Sequence, residues 1–596
     1  MESFMLNQLS NRLRSDVLPI LLFFVAMVIM TYPLVFVMHE QIPMNNADTN
    51  QAIWMNWWAV TALENGYDIN QTPYLFAPNG LDLTLFPPRW TQLPIWIPLY
   101  KALGEPLAYN LMRLIGLMIK AYAMYLLGLY LFKNRTAAWV AGAFYAFGSA
   151  PLQKSLPQPL TGSTEWLPFF MLTYVYAIDL IRNRASLRKT IPFMLLAAII
   201  FNFSVYINLK IGIFAMLLGG GYVLLAFVWH KLWQYRNFWI SMTVFGAVTV
   251  ALGLPILFPV VKSENLDNAI DSVLEGMGID IVNYVKPMEN RPLNYMPSIA
   301  AMADEYVRFN DFTILDTPYV GIVAIVFALM GVQYAIRIER RVLIWLIIAI
   351  VFLLMSFGLE WMWNGQYVGV YWTPIRLLKD NVIVVIIKWM YRWSLIFWFP
   401  FSLLIGYGLL YRMRSLTMDW KQVVLLVMSV VMLLYGTSIF PIRTRLMPVP
   451  DYVDFLNTLP EGDIMNLPLG RQESKYYMVV QIQHERAINE GAVARLPSGS
   501  YDFHKLMPLT SILRGREPLW EDQDAANEGW HESMQVMLDN GFRYLVLHNK
   551  VQTKGWKPTQ QFLLDLFKDS EPIYSDDLVK IFDIEDLLST TPRLPE

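Results

Sequence analysis

The stretch M-H-E-Q-I-P-M-N-N-A-D-T-N-Q-A-I-W-M-N-W-W, Met38 to Trp58, follows at once on the first long apolar run, so it leaves the membrane where that helix ends. Asp48 stands in its middle, flanked by Asn45, Asn46, Thr49 and Asn50. The aromatic segment after it, Ile53 to Leu63, reads as an amphipathic helix lying flat on the bilayer surface, with Asp48 or Asn46 as its N-cap. An acid at the membrane–water boundary beside a surface helix suits chemistry on a lipid-borne substrate. It can take a proton from an acceptor or hold a metal beside a diphosphate.

Composition sets the frame for that stretch. The chain has 596 residues, of which 55% are hydrophobic and 16% charged. Soluble chains average about 25% charged, so this is an integral membrane protein with a polar appendage. A net charge of -2 argues against nucleic acid as the main partner. There is no cysteine, which excludes disulfides, thiolate catalysis and Cys-ligated metals. The six histidines form no His-x-x-x-His pair, against a zinc site. The first apolar run has arginines before it and no small-residue cleavage site after it, and reads as a retained signal anchor.

Apolar runs long enough to cross a bilayer fall at 17–38, 107–132, 136–150, 164–181, 190–208, 211–229, 238–261, 317–336, 342–358, 391–411 and 422–440. Basic residues mark every second connection: Arg12 and Arg14; Lys133 and Arg135; Arg182, Arg184, Arg188 and Lys189; Lys231 and Arg236; Arg337, Arg340 and Arg341; Arg412, Arg414 and Lys421. By the positive-inside rule that alternation gives about eleven spans, with the N-terminus cytoplasmic and the C-terminus outside. The membrane part is then 1–441, with large outer loops at 39–106, 262–316 and 359–390. Residues 442–596 form an extracytoplasmic domain. That tail has short strands at 463–469, 542–548 and 578–584 and helices at 450–459, 532–540 and 560–567, the alternation of a small α/β domain. It shows neither a Gly-rich phosphate loop nor a triad-like spacing, and suits a lid, a recognition module or a docking surface.

A lipid phosphate needs cations at the outer face. Arg89, Lys210, Arg376 and Lys379 lie in outer connections, and Lys388 and Arg392 mark the entry to the tenth span. Cations near helix ends also snorkel to headgroups with no ligand, which explains Lys388 well and Lys210 less well. Arg113 and Lys120 lie deeper, on the second span. An intramembrane cation calls for a partner, and no acid in a facing span reads as one for Lys120. A site role and bundle stabilisation through backbone carbonyls both remain open there. Tryptophans crowd the outer segments, chiefly as interfacial anchors.

The order of parts resembles the bacterial and archaeal polytopic glycosyltransferases of the GT-C type, in particular members similar to dolichyl-phosphate-mannose-dependent mannosyltransferases. The residues that carry the resemblance are Asp48, Trp57 and Trp58, then L-F-A-P-N-G-L (75–81), L-G-E-P-L-A-Y-N-L (103–111), A-A-W-V-A-G-A-F-Y-A-F (137–147) and S-T-E-W-L-P-F-F (163–170). Y-R-W-S-L-I-F (391–397), I-M-N-L-P-L-G (464–470) and G-F-R-Y-L-V-L-H (541–548) continue it. The resemblance implies an inverting hexosyltransferase that takes its sugar from a polyprenyl-phosphate donor at the outer face of a prokaryotic plasma membrane. It further implies a catalytic base at Asp48, a lipid-phosphate contact at Arg392, and a divalent metal, Mg or Mn, as the cofactor to look for. Relatives often carry two adjacent acids where Asp48 has only amide neighbours, and Gly-His where this chain has Gln158 and Pro159. The competing expectation is a non-catalytic scaffold subunit that docks other proteins through 442–596. Lys120 also invites a transporter, although no matched pair of interrupted helices supports it.

Overall fold

The computed structural model of the protein describes residues 2–43, 48–262, 278–285, 318–370, 372–378, 391–414, 441–493, 499–514, 520–549 and 557–592, with isolated positions between these stretches. Lys379, Lys388, most of the 262–316 loop and nearly all of the expected span 422–440 lie outside the described residues.

Each of the other ten apolar runs forms helix. The chain begins with α1 (Glu2–Met30) and α2 (Leu34–Val37), followed by α3 (Asp48–Asn65) and α4 (Leu93–Leu103). Next come α5 (Leu107–Phe132), α6 (Arg135–Phe147), α7 (Ser149–Ser155), α8 (Pro159–Gly162), α9 (Trp166–Arg182), α10 (Leu187–Ile207), α11 (Leu209–Trp229) and α12 (Arg236–Lys262). After the second loop come α13 (Ile322–Arg337), α14 (Val342–Ser356) and α15 (Tyr391–Arg414). Among the described residues five of these, α5, α10, α11, α12 and α15, are long and apolar enough to cross a membrane, and the apolar parts of α1, α13 and α14 are shorter. A 26-residue helix such as α5 is about 39 Å long, more than a hydrocarbon core of about 30 Å needs. α5 ends where Lys133 turns left-handed, and α6 starts under the Asn134 side chain, which accepts the Ala137 N–H at 2.9 Å.

The residues fall into two compact units. Unit 1 takes 1–44, 89–258 and 270–446; unit 2 takes 45–88, 259–269 and 447–596. Within unit 1, α15 is buried along most of its length and packs on α13 and α14. α13 and α15 touch backbone to backbone. A Cβ on Gly331 would lie 2.1 Å from the Leu404 carbonyl oxygen, and one on Gly408 would lie 1.8 Å from that of Phe327. The basic connections meet at one end of this unit. Asp179 pairs with Arg182 at 3.3 Å and Arg341 at 3.5 Å and accepts the Tyr130 hydroxyl at 2.7 Å. Asp16 similarly gathers Tyr122, Tyr125 and Arg135. β1 (Gln41–Pro43) pairs antiparallel with β6 (Thr444–Leu446) and ties the chain leaving the first helix to the chain entering the tail.

Unit 2 pairs β2 (Gln71–Thr72) with β3 (Leu81–Asp82) and is built on a sheet of β7 (Asp463–Leu467), β8 (Phe542–His548), β10 (Val579–Asp583) and β9 (Tyr574–Ser575), in the order β7-β8-β10-β9. β7 and β8 run parallel, and β10 is antiparallel to β8 and to β9. Three helices lie where the alternation predicts them: α16 (Tyr452–Thr458), α19 (Gln523–Asp539) and α20 (Lys557–Leu566). Of the further helices, α17 (Arg471–His484) and α18 (Pro508–Leu513) are the longest that were not legible. The core of this unit joins Met465, Leu467, Trp530, Met534, Leu545, Leu547 and Phe582 to Ala77.

That last contact marks a departure from the sequence reading. Residues 45–88, read as part of an outer loop of the membrane domain, fold with the tail. α3 is not a helix exposed along one face. Trp54, Trp57 and Trp58 are buried, and so are the polar Thr49, Asn50, Gln51 and Asn56. The reason is α17. Its Gln481 is fully buried, accepts the Trp54 indole N–H at 2.7 Å, and donates to the carbonyls of Tyr74 at 2.6 Å and Arg486 at 2.9 Å. Leu75 also bridges Ile488, and the Ala77 N–H donates to the Ile488 carbonyl at 3.1 Å.

Candidate functional site

In unit 2, Asp48 is the first residue of α3, and its carboxylate lies 3.8 Å from the Lys475 ammonium on α17. Asp48 is 40% exposed and Lys475 10%. Burial pulls the Lys475 ammonium down from the usual lysine range, and the Asp48 charge opposes that shift. Asp48 is therefore an accessible carboxylate braced by a half-hidden cation, within reach of solvent or a substrate. Among the described residues no three His, Asp or Glu side chains come together as a metal-holding group. A single carboxylate paired with a lysine is a poor donor set for Mg or Mn.

The four cations singled out with Asp48 all belong to unit 1, in different surroundings. Arg376 is partly exposed, pairs with Glu360 at 3.5 Å and donates to the Leu359 carbonyl at 3.2 Å. Lys210 lies half-buried in the first turn of α11, where the Asn208 side chain caps its backbone N–H. Arg392 opens α15 and donates to the Ile387 carbonyl at 2.6 Å, with its Nε buried and without a hydrogen bond. Arg392 shares the Tyr391 ring with a cation the sequence did not single out. The Lys154 ammonium stands 4.1 Å from that ring's centroid and the Arg392 guanidinium 5.8 Å from it. Lys154 is buried and donates to Gln158 at 2.7 Å, so the Gln158 noted as a departure from relatives has a definite job here.

Arg89 belongs to a buried cluster rather than to the outer surface, being only 4% exposed. Burial, then the neighbouring Arg113 guanidinium, pulls it down to about 9. The cluster is built on one stripe of α5, Tyr109, Arg113, Gly116 and Lys120, whose spacings of four, three and four keep them on one helix face. Facing the stripe is the wholly buried segment 149–164, which holds the short helices α7 and α8. Lys120 donates to the Ser155 hydroxyl at 2.6 Å and to the Gly162 carbonyl, at the end of α8, at 2.7 Å. Arg113 donates to Gln92 at 2.9 Å and to Ser163 at 3.3 Å, and Gln92 donates to the same Ser163 hydroxyl at 3.1 Å.

The acid that the sequence did not offer Lys120 is Glu165, just before α9. Lys120, Arg113 and Arg89 are, in that order, the cations that act on its carboxylate. Gly116 makes the room, since a Cβ there would lie 2.7 Å from a Glu165 oxygen. Two signals could have found the pair: the polar spacing along an otherwise apolar span, and an acid standing at the entry to the next span. The cluster does what a low-dielectric interior requires. Irregular backbone at membrane depth is tolerated only where its carbonyls and N–H groups find partners inside the protein.

No family model matches the chain, and no curated protein matches it. Among solved structures it is similar to the oligosaccharyltransferase of Archaeoglobus fulgidus in the apo form, with a TM-score of 0.51 and 12% identity over 89% of this chain and 69% of that one. A structure of the same enzyme in complex with Zn and sulfate gives a TM-score of 0.49 at 12% identity, over 90% and 69% of the two chains. ArnT from Cupriavidus metallidurans, in the apo state, gives 0.40 at 12% identity, over 96% and 98%. The chain thus shares the fold of the Archaeoglobus fulgidus oligosaccharyltransferase, the GT-C fold that the order of segments implied.

Proposed function

We propose that the chain is a membrane glycosyltransferase that moves a sugar from a polyprenyl-phosphate donor to an acceptor at the outer membrane face, with inversion at the anomeric carbon. The observation that carries this reading is the GT-C fold in a chain whose first extramembrane helix begins on an accessible carboxylate, Asp48. In this reading Asp48 takes the proton from the acceptor hydroxyl. The acceptor oxygen bonds to the anomeric carbon, the bond from that carbon to the phosphate oxygen breaks, and polyprenyl phosphate departs with the electron pair. Arg392 meets the phosphate charge, with Lys154 beside the same Tyr391 ring. Lys210 and Arg376 are the other outer-face contacts. Arg89 acts from within its buried cluster. A divalent metal has no holder among the described residues, so no step runs through one. The basic connections would face the cytoplasm of a prokaryotic plasma membrane, with unit 2 outside.

The test is transfer of label from a polyprenyl-phosphate sugar in washed membranes. Asp48→Asn should lower turnover by roughly 10²–10⁴-fold, the range of a lost general base, with donor KM little changed. Normal turnover by that variant would remove the base. The ion pair with Lys475 supports a second reading, a scaffold subunit in which Asp48 is structural and 442–596 docks other proteins. Stoichiometric co-purification with other subunits, in membranes without transfer activity, would favour it.

A further inference from the structure

Residues 361–375 contain no charged side chain. They follow α14 in unit 1 and form a hairpin, β4 (Met362–Trp363) and β5 (Gln366–Tyr367), that closes on Asn364 and Gly365. Both turn residues have positive φ, 49° and 80°, as a type I′ Asn-Gly turn requires. The turn is clamped from outside the hairpin. The buried Asp280 carboxylate accepts the Asn364 N–H at 3.0 Å and the Gly365 N–H at 2.6 Å. At its base the Val368 N–H donates to the Trp361 carbonyl at 2.9 Å, and Arg376 is held to Leu359 and Glu360.

A loop fixed this firmly would ordinarily turn its large side chains inward. This one turns them out: Trp363 is 55% exposed, Tyr367 61%, Val368 50%, Trp372 71%, Leu377 73% and Leu378 43%. An apolar patch of this kind on a water-facing surface is uncommon and marks a contact site. It follows α14 directly in the chain, and both α13 and α14 carry exposed apolar residues of their own, Ile322, Val326, Leu329, Ile347, Ile350 and Val351. Trp and Tyr tips above an aliphatic belt are the composition of a membrane interface.

We propose that the 361–370 hairpin and the 372–378 turn form a bilayer-embedded wedge, its occupant being the headgroup and upper acyl layer of membrane lipid. Asp280 sets its depth by locking the turn. The inference rests on unit 1 alone and is independent of the transfer reaction.

The chain has no cysteine, so single cysteines label uniquely. Trp372→Cys and Leu377→Cys, each carrying an environment-sensitive NBD dye, are placed in nanodiscs of phosphatidylethanolamine and phosphatidylglycerol. Ile322→Cys at the start of α13 is the lipid-facing control and the exposed Asp539→Cys on α19 the aqueous one. The expected result is quenching at 372 and 377 by shallow doxyl lipids to the extent seen at 322, with little quenching by iodide. Iodide quenching equal to that at 539, without lipid quenching, overturns the proposal. Protection from both quenchers also overturns it, since it would mean that protein covers the patch.

Discussion

Helices α3 and α5 both turn polar side chains inward, but what meets them differs. In α3 the buried indole of Trp54 finds the side-chain amide of Gln481, which also holds two main-chain carbonyls from other segments. Those bonds join pieces of chain far apart in sequence, 45–88 and 447–596, into one folded unit. In α5 the cations Arg113 and Lys120 meet hydroxyls, an amide and the carbonyl of a broken segment only a few dozen residues on. In the first helix polar burial joins distant parts. In the second it makes irregular backbone tolerable where water is excluded. The difference implies that charge removal should hurt most in unit 1, where no solvent can substitute.

The sharpest way to break that comparison is at Glu165. Glu165→Gln removes the buried carboxylate that packs on Gly116, between Arg113 and Lys120 on the α5 stripe, and takes the counter-charge away from those buried cations. The expected outcome is a large fall in thermal stability and in the yield of monodisperse protein from detergent. Lys120→Met should cost less in a Glu165→Gln background than in the natural chain, since the two act on each other. A Glu165→Gln protein as stable as the natural chain would show that the cluster is no electrostatic unit.

A smaller effect is expected at Gln481. Gln481→Leu keeps the approximate volume but leaves the Trp54 indole and the Arg486 carbonyl without their partner and the Tyr74 carbonyl with the Ile488 N–H alone, a loss of about 2–3 kcal/mol at a fully buried site. Hydrogen exchange should quicken at Ala77 and Ile488, whose amides cross between the two segments. Unit 1 amides should not change. Exchange that stays slow at both positions would mean that 45–88 is held by its apolar contacts alone.

How much of this was legible follows from the same contrast. Helix positions in the membrane part came almost directly from apolar run length, because in a bilayer the backbone must close its own hydrogen bonds. α5 falls at the expected 107–132. The strands of unit 2 were readable too, since β7, β8 and β10 are short apolar runs between turn residues. The placement of α3 was not, although one clue was present: no charge falls between Asp48 and Glu64, whereas a surface helix would carry a polar face. α17 was missed because R-Q-E-S-K-Y-Y-M-V-V-Q-I-Q-H mixes aromatic and β-branched residues without a clear period. Among candidate residues Asp48 and Arg392 could be named from a resemblance. Lys154 and Glu165 could not, because their meaning comes from Tyr391 and from Gly116, distant in sequence.

The gentlest probe of the contrast is pH, because unit 2 buries three histidines, His484, His504 and His548, and burial pushes two of them far down. His484 accepts the Arg486 N–H on Nδ1 at 3.1 Å, and burial together with the Arg486 guanidinium pushes it down to about 3. His548 bonds Asn466 through Nε2 at 3.0 Å, stacks on Tyr477, and is pushed by burial to about 3 as well. Both are depressed below the unfolded value of about 6.5, so the folded unit favours the neutral rings. Their contribution is fully present above pH 6.5 and is lost as pH falls from there toward 3. One unit below, near pH 5.5, each should cost unit 2 about 1.4 kcal/mol. Hydrogen exchange in nanodiscs, corrected for intrinsic rates, should show the β7 and β8 amides opening more easily at pH 5.5 than at pH 7.5. His548→Asn should make that dependence shallower, since one of the two strongly depressed rings is then gone. Equal opening free energies at the two pH values would mean that these rings accept protons without leaving the fold.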